Sequence, residues 1–334
     1  MDIVIAGFGV VGQGVAEVIQ QKGGMLSETF GQRLRIVGAF DSSSYETSTD
    51  GLDPSRLIRH KLSEGKVGKK SFDGEARKML ENIDYDTLIE VTPTNIRNGE
   101  PGFTNILTSL KAGKNVITSN KGPLALKFRE LSNAAKDNDV QLRFEGTVGG
   151  ATPIINLSRE LLRGEKILSI RGILNGTCNF ILNRMKEEGL PFAQALREAQ
   201  DMGIAERDPS YDIDGVDSAC KAAILANAIF NLDRTYSDVK RTGIRGVTEE
   251  AVSLAAEEKK VIRLIGEISG KRLEVTPRLV PIGHPLSIGG TRNIVQIHTD
   301  LAGEITVAGR GAGKLETTSA ILSDLVALLK ENQK

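Results

Sequence analysis

Cysteine and histidine are scarce in this chain: Cys178 and Cys220, and His60, His284 and His298, are all there is of either in 334 residues. Two cysteines build no disulfide framework, and three scattered histidines offer no metal-ligand spacing, which disfavours a disulfide scaffold and a zinc enzyme alike. An excess of charge is missing too, since 43 basic residues face 43 acidic ones. There is then no electrostatic case for nucleic acid or an anionic membrane as partner. No apolar run approaches the ~18 residues of a membrane span, and Met1-Asp2 leads into a strand pattern rather than a basic signal-peptide start. The cytoplasm is the expected location. Internal repeats and low-complexity tracts are absent as well.

What the chain does have is length for two cores and an abundance of glycine. The 36 glycines concentrate in loops, where they let a ligand approach the backbone closely. The first such loop is Gly7-Phe8-Gly9-Val10-Val11-Gly12, between the apolar run of residues 2–6 and a helix-periodic segment. In a G-x-G-x-x-G turn the glycines make the tight bend, admit a pyrophosphate and allow helix–strand contact, while the helix start attracts the anion. A plain glycine turn is the competing reading, but the flanking strand, helix and second strand at 34–40 favour a dinucleotide. Asp41 ends that second strand, where an acid accepts from ribose hydroxyls and repels a 2′-phosphate, which points to NAD. A loop cap is the alternative for Asp41, and Ser42, Ser43, Ser44, Arg56, Arg59 and Lys61 leave NADP open.

Residues 42–82 read as a polar excursion with one or two helices and no chemistry. The run 86–92 is the next buried strand, and it delivers Thr92 and Pro93 to the carboxyl side of the sheet, where α/β proteins bind ligands. A helix over 101–111 and a strand over 115–119 lead to Asn120-Lys121-Gly122-Pro123, read as a turn that holds Lys121 toward the nicotinamide; a solvated turn lysine is the bland alternative. Helix 127–137 and strand 141–145 run into a glycine loop at 146–153. Its carbonyls and Glu145 suit a hard monovalent cation or simply a tight interdomain turn. Beyond it, strand 167–174 enters a helix at Gly176-Thr177, and four more strands fall at 261–268, 272–280, 293–299 and 304–308. Such a run indicates a mixed or antiparallel sheet, whose edge or face supports dimerisation. A second glycine loop, 309–313, precedes a last helix at 317–330 that returns to the nucleotide domain.

The most informative stretch is GIAERDPSYDIDGVDSACKAAIL, residues 203–225. Asp, Pro and Gly make its first half turn chemistry, and Asp214 is the expected N-cap of the helix that follows, with Asp217 inside its first turn. From 219 to 230 only Lys221 and Asn227 are strongly polar, so this helix is expected to be buried nearly all round. Asp217 lies one turn before Lys221, on the same face. An ammonium held in a dry site by a carboxylate donates a proton or hydrogen bond to a developing alkoxide. The bland reading, a surface ion pair, requires an exposed helix.

With these pieces placed, the chain resembles the homoserine dehydrogenases over nearly its whole length, on four motifs: GFGVVG at Gly7, TSNKGPLA around Lys121, NGTCNFIL from Asn175, and the stretch just described. The resemblance implies an α/β protein with a Rossmann-type dinucleotide-binding domain over 1–148 and 305–334. A mixed α+β substrate and dimerisation domain takes 149–304. It implies reduction of L-aspartate 4-semialdehyde to L-homoserine with NAD(P)H, on the path to threonine and methionine, by a homodimer. On the same ground Lys221 is the proton donor and Lys121 its partner near the nicotinamide, while Glu206, Asp212 and Asp217 hold the substrate amino group or position the lysine. Gly176 and the Gly311 loop touch cofactor or substrate, with Thr177 beside them at the substrate. Glu145, Val148, Gly150 and Thr152 match a loop for Na+ or K+ found in some members. Two departures stand out: Cys178 replaces the usual Thr, and the sequence stops after its last helix, so feedback inhibition by threonine is not expected. The rivals are another semialdehyde or amino-acid dehydrogenase, including one using Cys178 as a helix-start thiolate, and a nicotinamide-sensing protein without catalysis.

Overall fold

The computed structural model describes residues 1–71 and 76–331; the parts of the expected excursion at 72–75 and of the nucleotide domain at 332–334 lie outside the described residues. The chain divides into two compact units, Met1–Thr147 with Gly313–Lys334, and Val148–Ala312.

In the first unit the apolar strand β1 (Asp2–Ala6) is followed by helix α1 (Val10–Phe30), which ends where Gly31 takes the left-handed conformation, φ 65°. β2 (Arg35–Phe40) lies parallel to β1. The polar excursion forms β3 (Ser44–Thr47), α2 (Pro54–Glu64), β4 (Lys70–Ser71) and α3 (Ala76–Asn82). Its start signals are local: the Asp53 side chain accepts from the Ser55 N–H at 2.9 Å, and Pro54 occupies the first helical position. Then come β5 (Thr87–Glu90), α4 (Gly102–Lys111), β6 (Asn115–Thr118), α5 (Lys121–Asp137) and β7 (Leu142–Arg143). The sheet order is β4-β3-β2-β1-β5-β6-β7, parallel from β2 to β7, with β3 and β4 added antiparallel. The strand order reverses beside β1, so the turns after β1, β2 and β5 open on one edge of the sheet. That crevice is where doubly wound sheets bind nucleotides. Contrary to the sequence reading, Asn120 to Pro123 is no free turn. Asn120 caps α5, its side chain accepting from Gly122 N–H at 3.1 Å, and Lys121 is the first helical residue.

The second unit opens with α6 (Ile154–Asn156) and a π-helical turn, Leu157–Leu161, which the sequence pattern did not reveal. β8 (Ile167–Ile173), α7 (Gly176–Glu188), α8 (Phe192–Asp201), α9 (Ser210–Ile213), α10 (Val216–Phe230), β9 (Lys240–Arg241) and α11 (Glu249–Glu257) follow. β10 (Lys260–Ser269), β11 (Leu273–Pro281), β12 (Arg292–Thr299) and β13 (Glu304–Arg310) complete a mixed sheet ordered β13-β12-β8-β10-β11-β9. β13 pairs along its length with β12, so it belongs to this unit and not, as a boundary at 305 would have it, to the nucleotide unit. Close sheet packing explains Gly266, where an added Cβ would sit 2.8 Å from the Leu174 side chain. Helix α10 lies against β10 and β11, and every residue from Asp217 to Asn227 is buried. The last helix, α12 (Lys314–Glu331), returns to the first unit. Its Ile321, Leu325, Leu328 and Leu329 share a core with Ile3, Ile5, Phe8 and Val15.

Candidate active site

The glycine turn after β1 has two glycines that the chain itself demands and one that it does not. Gly7 has φ 96°, and a Cβ there would lie 2.7 Å from the Val91 carbonyl group; a Cβ on Gly12 would fall on the carbonyl of Gly7. At Gly9 a Cβ would meet nothing within 4 Å. Glycine at that exposed position fits the close approach of a group outside the chain, as a pyrophosphate requires. Val10 is exposed and Val11 half-buried at the start of α1, while Phe8 is fully buried beneath the turn.

Asp41 is placed differently from the ribose-binding expectation. Its Oδ1 accepts from the Ser43 and Ser44 N–H groups, both at 2.8 Å, and its Oδ2 accepts from Lys61 Nζ at 2.7 Å and Val67 N–H at 2.9 Å. Burial works against the charge, but Lys61 and these N–H donors prevail and hold the carboxyl at about 2. Asp41 is thus a loop cap, the competing reading, and its acceptors are already engaged within the chain. Neither the strand ending nor the spacing could reveal that Lys61 folds back on it.

At the ends of β5 and β6, Thr92 and Asn120 are hydrogen-bonded to each other, Asn120 Nδ2 donating to Thr92 Oγ1 at 3.2 Å and to the Pro93 carbonyl at 3.4 Å. The carboxylate of Glu90 lies beneath them, fully buried. Burial pushes it up to about 7, against the hydrogen bonds from Thr92, Thr118 and Asn120 that favour the charged form. No sequence argument singled out Glu90, although an acid closing an otherwise apolar strand was the available signal.

The lysine centre lies in the second unit. Gly215, not Asp214, stands at the N-cap of α10, with φ 76° and no side-chain cap, while Asp214 pairs with Arg245 at 3.0 Å. Asp217 is freed from capping and turns to Lys221, Oδ2 to Nζ 2.7 Å, with both residues buried. Nζ also donates to the Leu174 carbonyl at 2.6 Å, and Asn293 Nδ2 reaches the same carbonyl at 3.3 Å. Asn175 joins the acids: its Nδ2 donates to Asp212 Oδ1 at 2.6 Å and to Asp217 Oδ2 at 2.9 Å, and its Oδ1 caps α7 by accepting from Cys178 N–H at 2.8 Å. Lys221, Asp217, Asp212 and Asn175 therefore form one connected group. The two asparagines were missed, since neither a helix cap, Asn175, nor a strand residue, Asn293, carries a mark of a second function.

Glu206 is exposed at the mouth of the turn that precedes α9. Gly176 is explained by packing alone, because a Cβ would fall on the Thr291 carbonyl, and Gly311 similarly lies flat against the Asn293 amide. Thr177 Oγ1 donates to the Ile204 carbonyl at 3.1 Å. The thiolate reading of Cys178 fails: burial first, then the charges of Asp212 and Asp217, push its thiol well above the ordinary value, and Sγ donates to the Asp212 carbonyl at 3.2 Å. Of the cation-loop residues, Glu145 is buried in the first unit, its N–H donating to Asp324 at 2.8 Å. Val148, Gly150 and Thr152 belong to the second unit, where the buried Thr152 hydroxyl finds no partner among the described residues. Among the described residues there is no cluster of three or more His, Cys, Asp or Glu fit for a metal, and no helix long and apolar enough to cross a membrane.

A doubly wound sheet with a phosphate-admitting glycine turn, joined to a second unit whose buried lysine is set among carboxylates, defines a nicotinamide-dependent oxidoreductase. Comparison with known proteins gives the family. Residues 7–145 match the model of the homoserine dehydrogenase NAD-binding domain and residues 153–326 that of homoserine dehydrogenase. Homoserine dehydrogenase of Methanocaldococcus jannaschii is 47% identical over all of both chains, and the NAD(+)-dependent enzyme of Pseudomonas canavaninivorans 36% identical over 97% of this chain and 95% of its own. Among solved structures, a putative homoserine dehydrogenase from Archaeoglobus fulgidus superimposes with a TM-score of 0.91 at 45% identity, covering 98% of this chain and 99% of that one. A hyperthermophilic archaeal homoserine dehydrogenase in complex with NADPH does so with a TM-score of 0.86 at 32% identity, covering 98% of each chain. The chain belongs to the homoserine dehydrogenase family.

Proposed function

We propose that Lys221 is the proton donor in the NAD(P)-linked interconversion of L-aspartate 4-semialdehyde and L-homoserine, the reaction of this family. The observation that carries the reading is the buried Lys221–Asp217 pair, 2.7 Å apart and tied through Asn175 to Asp212. A buried ammonium costs several kcal/mol unless it is paired, and apolar residues would pack the helix as well. Its retention fits a proton transfer. The bound dinucleotide supplies or accepts the hydride at nicotinamide C4. Asp217 and the Leu174 carbonyl fix Nζ, leaving its third donor for the substrate oxygen. Asp212 and Glu206 hold the substrate ammonium, and Lys121, at the first position of α5, stabilises the negative charge that develops on the oxygen. Gly176 and Thr177 at the start of α7, and Gly311 in the second glycine loop, border the substrate and cofactor.

Both dinucleotides are expected to serve. Asp41 remains ionised, but Lys61 beside it cancels much of its repulsion for a 2′-phosphate, so the two kcat/KM values should lie within about tenfold, that is ~1.4 kcal/mol. Thr152, whose buried hydroxyl is unmatched, supports a Na+ or K+ ion bound with Val148, Gly150 and Glu145. Homodimerisation is supported by the seven-residue strand β13 at the edge of the second sheet; light scattering should give twice 36.0 kDa. The test of the whole reading is homoserine-dependent reduction of NAD and of NADP by the wild type and by Lys221→Ala. Loss of turnover with retained dinucleotide binding is expected. Turnover near wild type in the variant overturns the role of Lys221, and no turnover by the wild type with either cofactor overturns the reaction.

A further inference from the structure

Strand interiors of a doubly wound sheet are apolar, yet β5 ends on a carboxylate with no exposure to solvent. Such a group has to be satisfied inside the protein. Glu90 Oε1 accepts from the Thr92 N–H at 3.0 Å and from the Thr92 hydroxyl, and Oε2 accepts from the Thr118 hydroxyl at 3.0 Å. Neither hydroxyl is free to turn round. Thr92 Oγ1 accepts from Asn120 Nδ2 at 3.2 Å, and Thr118 Oγ1 accepts from the Asn120 N–H at 3.0 Å. A hydroxyl carries one proton and an ionised carboxylate only accepts, so with Glu90 ionised both threonines, while receiving from Asn120, give theirs to its two oxygens. In that state the network runs one way: it starts at the amide groups of Asn120, passes through two threonines and terminates on one buried carboxylate.

Asn120 is also the cap of the helix that begins at Lys121. Its surroundings leave it no slack. A Cβ on Gly102 would lie 2.5 Å from Asn120 Nδ2 and 3.2 Å from Glu90 Oε1, and one on Gly122 would fall on the Asn95 carbonyl. Glu90 thus ties the Thr92–Pro93 turn to the backbone that carries Lys121.

We infer that Glu90 is a positioning residue for the reaction: through Thr92, Thr118 and Asn120 it sets the start of the Lys121 helix, and it acts on turnover through Lys121 without touching the substrate. The inference rests on the role given to Lys121 above. An apolar residue in place of Glu90 would leave Thr92 and Thr118 with protons to redirect, and stability alone gives no reason to keep a buried acid. The isosteric change Glu90→Gln brings an N–H group to where Thr118 delivers its proton. Thr118 must then turn, and it can no longer present the same lone pair to Asn120.

The test compares single-turnover rates and dinucleotide affinity for Glu90→Gln, Lys121→Met and the double variant. Glu90→Gln should lower kcat about tenfold or more while the dissociation constant for reduced dinucleotide, read from nicotinamide fluorescence, changes less than about threefold, and the double variant should be no slower than Lys121→Met alone. Thr118→Val, which leaves the acid in place and removes one link to Asn120, should show the same non-additivity with Lys121→Met and serves if Glu90→Gln folds poorly. Losses that multiply in the double variants overturn the inference while leaving the reading of Lys121 intact. Wild-type turnover in Lys121→Met overturns that reading and, with it, the route assigned to Glu90.

Discussion

Replacing Lys221 by Met keeps the length and apolar stem of the side chain and removes only its ammonium. The Asp217 carboxylate is then left buried without its cation, while Asn175 Nδ2 still donates to it at 2.9 Å. Removing one partner of a buried ion pair costs ~3–5 kcal/mol, and the surviving hydrogen bond sets the expectation at the low end, about 3 kcal/mol. For a unit the size of Val148–Ala312 this lowers the melting midpoint by roughly 6–12 °C. Adding Asp217→Asn removes the stranded charge and should restore most of that loss. Turnover should behave otherwise: a general acid contributes ~10²- to 10⁴-fold, and neither the single nor the double variant has one. Calorimetry and reduced-nicotinamide absorbance on the three proteins separate the two effects. Turnover within about tenfold of wild type in Lys221→Met, or its recovery together with stability in the double variant, would refute the assignment of Lys221 as proton donor.

Asn175→Ala removes a helix cap and the donor shared by Asp212 and Asp217, and should cost ~1–3 kcal/mol of stability while raising KM for homoserine, measured by denaturant melts and initial rates. Cys178→Ala should keep turnover within about tenfold, since the buried thiol donates to a carbonyl rather than acting as a thiolate; a loss of several hundredfold would restore a cysteine mechanism. Glu90 gives a pH signature. Its folded value of about 7 lies above the ordinary 4.5, so the folded state binds the extra proton, and stability is greatest below pH 4.5 and falls as pH rises to 7, by at most ~3 kcal/mol. Melting temperatures from pH 5 to 8 should fall less steeply in Glu90→Gln.

The elements of this fold were readable where local chemistry decides. The β1–turn–α1 unit announces itself because Gly7 and Gly12 are imposed by backbone contact, and the buried helix around Lys221 because small apolar residues surround it. The rest depended on contacts that spacing does not show. Asp41 ends its strand as a ribose ligand would, and no spacing shows that Lys61, twenty residues on, pairs with it. Asp214 has the side chain of a cap, but Gly215 takes the left-handed turn and hands the cap position to itself, releasing Asp214 to Arg245. Gly122-Pro123 reads as turn chemistry, whereas Pro at the third helical position loses no hydrogen bond, so Asn120 starts a helix there. Glu90, Asn175 and Asn293 gain their roles only when three or more segments meet, and spacing carries no trace of such a meeting.

The return of α12 to the first unit bears on how the protein is made. The core that holds Ile3, Ile5 and Phe8 is completed by Ile321, Leu325 and Leu328, and Lys314 reaches Glu17 at 2.6 Å. On the ribosome the whole of Val148–Ala312 is synthesised in between, taking roughly 10–30 s at ~5–20 residues per second. Through that interval the first strand and helix emerge with one side of their core uncovered. The nascent nucleotide unit should therefore stay a client of chaperones until the last helix has left the tunnel, while the inserted unit, contiguous in sequence, is free to fold first.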